Sequence, residues 1–437
     1  MTMHHVRDTL QERLILPTAL ATRGELATYR LQREWAELEW SHERLDEFRR
    51  VRCAALLSHA AKTVPHYRAL SLDKDAPLGE FPALEKSQVA EDPSALHSLP
   101  QGRTTQKFSG GSTGRPVAIL KSPLAVSAER AASWLAYSWY GLRHGQRAVR
   151  FWGTGGARSR RVRATLADIA MNRVTLSAFG FSKAELRALI RQIQRNRPVY
   201  LYGYASMLEM VAGAVPLEGL KVPSLRGVIT TAEPLSIQAR RSITTAFQAP
   251  VWNEYGCGEV GPIAYECPEG SLHAMDMNLF LEVDTGTSIS AEKGATGDLL
   301  ITDLSNFAMP LIRYRVGDRV TLGGACECGR ALSTIREIGG RSYDYLADEA
   351  GRLYHGEAVM YVFEDLAERG HAVEAFQVRQ TQPGNAEVFV VGPTSDQTAD
   401  ALRTAFADRL NIATSVKVTD HLEVASSGKR RLIIREH

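Results

Sequence analysis

Apolar positions recur every three or four residues from about Glu25 to Leu70, with Trp35, Leu38, Trp40 and Leu45 at helical spacing. The chain therefore opens on helices. The same period returns from Ser127 to Tyr140. It carries Trp134, Tyr137, Trp139 and Tyr140, an aromatic stripe whose expected role is packing. The pattern then changes. Arg147–Trp152, Val199–Tyr204, Val228–Thr231 and Val251–Tyr255 are short β-branched and aromatic runs, each stopped by a turn segment. Helical patterns over Ser182–Arg195 and through Arg240 to Phe247 lie between them. Strands alternating with helices predict α/β layering, with ligands gathered where strands end.

After about Leu279 the sequence turns β-rich, with strands expected at Leu279–Val283, Asp298–Thr302 and Leu311–Tyr314. The last segment has its own pattern. A hairpin is expected around Pro383-Gly384-Asn385, then a helix from Thr398 to Leu410 and strands at Val416–Thr419 and Leu432–Arg435. The expected fold class is α/β. A large N-terminal domain spans residues 1–340, with a helical lead-in over 1–80 and a β-rich subdomain. A small α+β domain spans 341–437.

Composition narrows the function. A net charge of +3 on 437 residues argues against a dedicated nucleic-acid binder. The one dense basic run before the C-terminus is Arg158-Ser159-Arg160-Arg161-Val162-Arg163. It reads as solvated surface, with an anionic acceptor or nucleic acid as weaker readings. No apolar run is long enough to span a membrane, and the N-terminus lacks the apolar core of a signal peptide. Five cysteines make no disulfide framework for a chain of this size, so a cytoplasmic location is expected.

The chemistry begins at Ser109, Gly110, Gly111, Ser112, Thr113 and Gly114, placed before the strand pattern Val117–Leu120. Glycines let backbone N–H groups approach an anion, and the hydroxyls add donors. Alone, the segment fits an anion cradle or a surface linker. It is not a Walker loop, because no Lys-Ser or Lys-Thr closes it. A second constellation is Cys267, His273, Cys326 and Cys328, all in turn-rich segments. Three thiolates and an imidazole suit a tetrahedral structural zinc; free buried cysteines are the alternative.

Further segments complete an ordered set: Thr231-Ala-Glu-Pro-Leu235, Glu254-Tyr-Gly-Cys-Gly-Glu259, Tyr314-Arg-Val-Gly-Asp318, Gly340-Arg341 and Ser427-Gly-Lys-Arg430. Together with the Gly-rich segment they resemble, from about Phe81 onward, the adenylate-forming superfamily of acyl-CoA synthetases, luciferases and peptide-synthetase adenylation domains. The stretch from Thr302 to Asp318, followed by Cys326-Glu-Cys-Gly-Arg330, is most similar to the phenylacetate-CoA ligase and CapK-like branch.

The resemblance implies activation of a carboxylic acid by MgATP, giving an acyl-adenylate and pyrophosphate. Acyl transfer follows, by default from an aryl acid to coenzyme A, and otherwise to an amine or hydroxyl acceptor. The C-terminal domain becomes a mobile lid. Ser109 to Gly114 would hold the β- and γ-phosphates. Ala232, Glu233 and Pro234 would pack beside adenine, and Glu254, Tyr255 and Gly256 would wall the nucleotide pocket. Glu259 would position Mg²⁺, although Gly258 stands where the family usually has Thr. Asp318, following a strand, would accept the ribose hydroxyls. Arg341 would add a ribose or phosphate contact, Asp344 would mark the hinge, and Lys429 would bridge the carboxylate and the α-phosphate. Trp152, Tyr202, Tyr204 and Thr231 would border the acid pocket. Gly258 keeps open a rival from another class, a nucleotide-binding protein without ligase activity.

Overall fold

The computed structural model describes residues 9–73, 75–100, 102–108, 117–152, 158–177, 183–215, 220–339, 345–373, 375–420, 422–423 and 432–435. Several expected site residues lie outside that set: Ser109, Gly110, Gly111, Ser112, Thr113, Gly114, Arg341, Asp344 and Lys429. The basic run begins the helix Arg158–Ala170, and its side chains through residue 163 are also outside it.

The opening helices form because their apolar positions make one face. In Ala27–Leu38 the buried residues are Thr28, Leu31, Trp35 and Leu38. Leu31, Trp35 and Leu38 pack with Leu45 against Ala128, Ala131, Ala132, Leu135 and Ala136 of the helix Pro123–Trp139. The small alanines let the two helices approach closely. Removing the Trp35 ring from this contact would cost about 3–5 kcal/mol. The aromatic stripe packs as expected: Trp134 is buried, and Tyr140 stacks on Trp252 at 3.9 Å.

Strands β1 (Thr105–Phe108) and β2 (Ala118–Lys121) pair antiparallel, with Phe108 opposite Ala118. The Gly-rich segment connects this hairpin. Next come β3 (Ala148–Trp152), β4 (Arg173–Ser177), β5 (Tyr200–Tyr204), β6 (Gly227–Thr231) and β7 (Val251–Cys257), joined in parallel in the order β4-β3-β5-β6-β7. Parallel strands are covered on both faces, and β6 is accordingly buried at all its positions.

At β7 the sheet changes character. Strand β8 (Gly261–Glu266) runs antiparallel to β7, followed by β9 (Leu272–Ala274), β10 (Leu279–Asp284), β11 (Ile289–Ser290), β12 (Thr296–Asp303), β13 (Tyr314–Leu322) and β14 (Thr334–Gly339). The twelve strands from β3 to β14 form one sheet, β11-β10-β12-β13-β14-β9-β8-β7-β6-β5-β3-β4. The antiparallel half encloses its own core. Val260, Ile263, Leu281, Leu299, Ile301, Tyr314 and Val320 belong to a single cluster.

One expected strand is misplaced. Leu311–Tyr314 was expected to be extended, but β13 starts only at Tyr314. Arg313 adopts φ +51°, a left-handed conformation that a strand does not accommodate. Its guanidinium forks onto Glu282 at 2.7 and 2.9 Å and donates to the carbonyls of Gly79 and Phe81. The apolar run Leu311-Ile312 is thus buried but irregular.

The C-terminal segment comprises β15 (Tyr345–Ala347), β16 (Leu353–His355), β17 (Ala375–Gln382), β18 (Asn385–Val391), β19 (Ala413–Val418) and β20 (Ile433–Arg435). The last four form a sheet in the order β19-β18-β17-β20 with the helices Gly356–Glu368 and Asp396–Leu410. Among the described residues, its core is built from residues between Leu346 and Ile433. Among the described residues no helix is long and apolar enough to cross a membrane.

Candidate active site

Two motifs more than fifty residues apart in sequence meet through a reciprocal pair of hydrogen bonds. Tyr255 of β7 donates its hydroxyl to Asp318 of β13 at 2.8 Å. Tyr314 of β13 donates to Glu259, just beyond β7, at 3.0 Å. Three strands separate β7 from β13 within the sheet, so the antiparallel half must curl to bring them face to face. Each bond has a carboxylate acceptor and is worth about 1.5–3 kcal/mol when that acceptor is ionised.

The placement of Asp318 is a correction. It was expected after a strand, but it lies inside β13. The ladder pairs Asp298 with Arg319 and Leu300 with Arg315, so β13 carries extra residues opposite β12. This bulge contains Gly317 at φ +91°, a conformation costly for any residue with a Cβ. The bulge re-aims Asp318 toward Tyr255, where its carboxylate is buried.

Glu259 is buried and has a partner that the motifs did not suggest. Lys86 Nζ lies 2.9 Å from its Oε1. Burial pushes the carboxyl up, but the Lys86 charge and the hydrogen bonds from Lys86 and Tyr314 outweigh it. The net direction is downward, and Glu259 is held ionised. Lys86 is the first residue of the helix Lys86–Glu91, fixed by a capping box between Glu85 and Gln88. A cation at a helix N-terminus opposes the helix dipole. That local conflict was the available signal, since such mismatches concentrate at functional sites.

The Ala232-Glu233-Pro234 segment follows β6. Ala232 stands at φ +66°, a strained conformation for a non-glycine residue that costs about 1–2 kcal/mol. The Glu233 carboxylate accepts from the backbone N–H and hydroxyl of Ser206, at 2.7 and 2.8 Å. It thereby caps the helix Ala205–Gly213 and ties the ends of β5 and β6 together.

Glu254 turns inward. Tyr202 and Thr231 each donate to its Oε1 at 3.0 Å, and burial pushes its carboxyl up. Glu254 thus joins two residues expected at the acid pocket. Trp152 joins the same cluster, stacked on Tyr204 at 4.8 Å and on Tyr202 at 5.8 Å. Gly256 is required where β7 meets β8, because a Cβ there would sit 2.7 Å from the carbonyl oxygen of Gly261. Cys257 is half-buried, and desolvation pushes its thiol up and makes it a poor nucleophile.

The four metal-ligand candidates converge. Ligand atoms of Cys267, His273, Cys326 and Cys328 all lie within 4.8 Å of one another. Cys267 Sγ is 3.7 Å from Cys326 Sγ, and Cys328 Sγ is 3.2 Å from His273 Nε2. Zinc–sulfur bonds of about 2.3 Å place tetrahedral thiolates about 3.8 Å apart, so the donor set fits zinc. The other ring nitrogen of His273 faces the Leu332 carbonyl at 3.4 Å, the outer contact that fixes a ligating imidazole. Two turns present the thiols, closed by Gly270 N–H to Cys267 O and Gly329 N–H to Cys326 O. Beside them, Arg330 lies between the rings of Trp40 and Trp139 and pairs with Glu39 at 3.2 Å. The opening helices are thereby fastened to this corner.

No family model matches the chain. It is 28% identical over 352 residues to a phenylacetate-coenzyme A ligase of Thermus thermophilus, covering 74% of this chain and 77% of that one. It is 22% identical over 284 residues to Protein CapK of Staphylococcus aureus, covering 62% of this chain and 60% of that one, less than two thirds of its length. A solved 2-hydroxyisobutyryl-CoA ligase, in complex with 2-HIB-AMP and CoA, superposes with a TM-score of 0.59 at 16% identity over 91% of each chain. The fold is the one shared with that ligase. In sequence the chain is similar to the phenylacetate-CoA ligases and to CapK.

Proposed function

We propose that this chain is an AMP-forming acid–thiol ligase that activates a carboxylic acid with ATP. The carboxylate oxygen attacks the α-phosphorus, the bond to the bridging oxygen breaks, and pyrophosphate leaves. The thiol of coenzyme A then attacks the acyl carbon, releasing AMP and forming a thioester. The observation that carries this reading is the reciprocal Tyr255–Asp318 and Tyr314–Glu259 pairing, which joins two superfamily motifs at one site.

Asp318 accepts hydrogen bonds from the ribose, with Tyr255 fixing its orientation. Ala232, Pro234 and Gly256 offer backbone and small side chains to the adenine, while Glu233 and Glu254 support the site from behind. Ser109 to Gly114 hold the departing phosphates. Glu259 is the Mg²⁺ ligand, and Lys86 holds its charge beforehand. Mg²⁺ supplies charge neutralisation at the phosphates when bound. Lys429, brought in by the 341–437 lid, stabilises charge developing at the carboxylate and α-phosphate. Arg341 adds a nucleotide contact, and rotation near Asp344 exchanges adenylation for thioester formation. Cys267, His273, Cys326 and Cys328 would hold a zinc ion in a structural role. The stacked Trp152, Tyr202 and Tyr204 rings support a planar, aryl acid, and the substrates indicate a cytoplasmic setting.

The acceptor is tested by following AMP and thioester together. With an accepted aryl acid, adding coenzyme A should yield thioester matching the AMP released. AMP without thioester would contradict coenzyme A as the acceptor.

A further inference from the structure

Helix Pro123–Trp139 places a carboxylate, Glu129, beneath the hairpin that carries the Gly-rich segment. Glu129 is buried and surrounded by cations. Lys107 of β1 donates to its Oε2, and Lys121 of β2 lies 3.3 Å from its Oε1. Lys121 is fully buried and also donates to Asp303 of β12 at 2.7 Å. Lys107 is opposite Ile119 in the hairpin register, and Ile119 and Lys121 are two residues apart. All three side chains therefore share one face, and Glu129 meets both strands from below.

Glu129 has a second neighbour. Gly261, two residues after Glu259, stands at φ +83°, and a Cβ there would sit 2.8 Å from the Glu129 carboxyl carbon. The carboxylate therefore contacts the turn carrying the expected Mg²⁺ ligand as well as the hairpin carrying the expected phosphate loop. A buried charge cluster of this kind is a weak source of net stability, because desolvation offsets most of the attraction. Its geometry is nevertheless specific: two cations from adjacent strands converge on one acid.

We propose that Glu129 is a positioning residue that sets the phosphate-binding hairpin against the Glu259 turn, acting through Lys107 and Lys121. This rests on the function proposed above. It touches no substrate, so its effect appears in the nucleotide terms alone. Lys107 is the practical probe, because its side chain is a third exposed, whereas Lys121 is fully buried.

The test measures MgATP affinity by calorimetry, and KM for ATP and for the acid in ATP–pyrophosphate exchange. Lys107→Met is expected to weaken MgATP binding and raise KM for ATP about tenfold, with KM for the acid within about twofold of the parent. Glu129→Gln should do the same where it folds, and the double variant should be no worse than the more affected single variant. Lys107→Arg should restore most of the affinity. Unchanged MgATP affinity in Lys107→Met, or equal increases in both KM values, would overturn the proposal. A parent that binds MgATP but shows no exchange would contradict the ligase reading, while the affinities would still decide the role of Glu129. A parent that binds no MgATP would overturn both.

Discussion

Asp318→Asn is expected to lower kcat/KM for ATP about a hundredfold while KM for the acid stays within about threefold. The carboxylate lies in a buried position, aimed by the Gly317 bulge and the Tyr255 hydroxyl. An ionised acid only accepts, so it can take hydrogen bonds from both hydroxyls of a ribose. Asn keeps the shape and one acceptor, but offers an NH₂ where a hydroxyl must donate. Two charge-assisted bonds are weakened or lost, each worth about 1.5–3 kcal/mol. Because the shape is kept, the unfolding temperature should fall by only a few degrees, about 2–4 °C. Tyr255→Phe removes the support alone and should cost about fivefold. An unchanged KM for ATP in Asp318→Asn would show that the nucleotide does not sit against this carboxylate.

Cys328→Ser is expected to lower the unfolding temperature by about 5 °C or more and to abolish a one-zinc-per-chain stoichiometry. Four donors converge there. The metal would hold the β8–β9 turn to the segment before β14, and Arg330 would carry that restraint to Trp40, Trp139 and Glu39. A chelator should reproduce the shift in the parent and not in Cys328→Ser. Elemental analysis of protein purified without chelator gives the stoichiometry. A zinc-free parent whose stability Cys328→Ser does not alter would assign these thiols to packing instead.

The layering of this fold was legible because hydrophobic period and turn chemistry agree over most of the chain. The runs at Val199–Tyr204, Val228–Thr231 and Val251–Tyr255 lie within one or two residues of β5, β6 and β7. Leu311–Tyr314 misled because burial and extension are separate properties. Arg313 takes a left-handed conformation to reach Glu282, a partner about thirty residues away that no local pattern announces. Asp318 was legible as a residue but not as a bulge, since the register with β12 is a tertiary fact. Lys86 was missed because a single lysine in a short helix ordinarily points to solvent. Only its unfavourable place at the helix N-terminus hinted otherwise. Glu254 was legible as part of a motif, yet its inward turn onto Tyr202 and Thr231 depends on strand neighbours. The convergence of the four metal-ligand candidates likewise needed the pairing of β9 with β14 across a long sequence gap.

The most direct measurement is acid-dependent pyrophosphate release from ATP with no acceptor present. Aryl, acyl and amino acids would be assayed with hydroxylamine to trap acyl-adenylates, and Lys429→Ala would run beside the parent. The expected result is release and hydroxamate with one acid class, foremost the aryl acids. In Lys429→Ala both should fall about a hundredfold or more while MgATP still binds. Release that no acid raises above the ATP-only rate, in a protein that binds MgATP, would contradict carboxylate activation. Undiminished release in Lys429→Ala would contradict the role given to the C-terminal lysine.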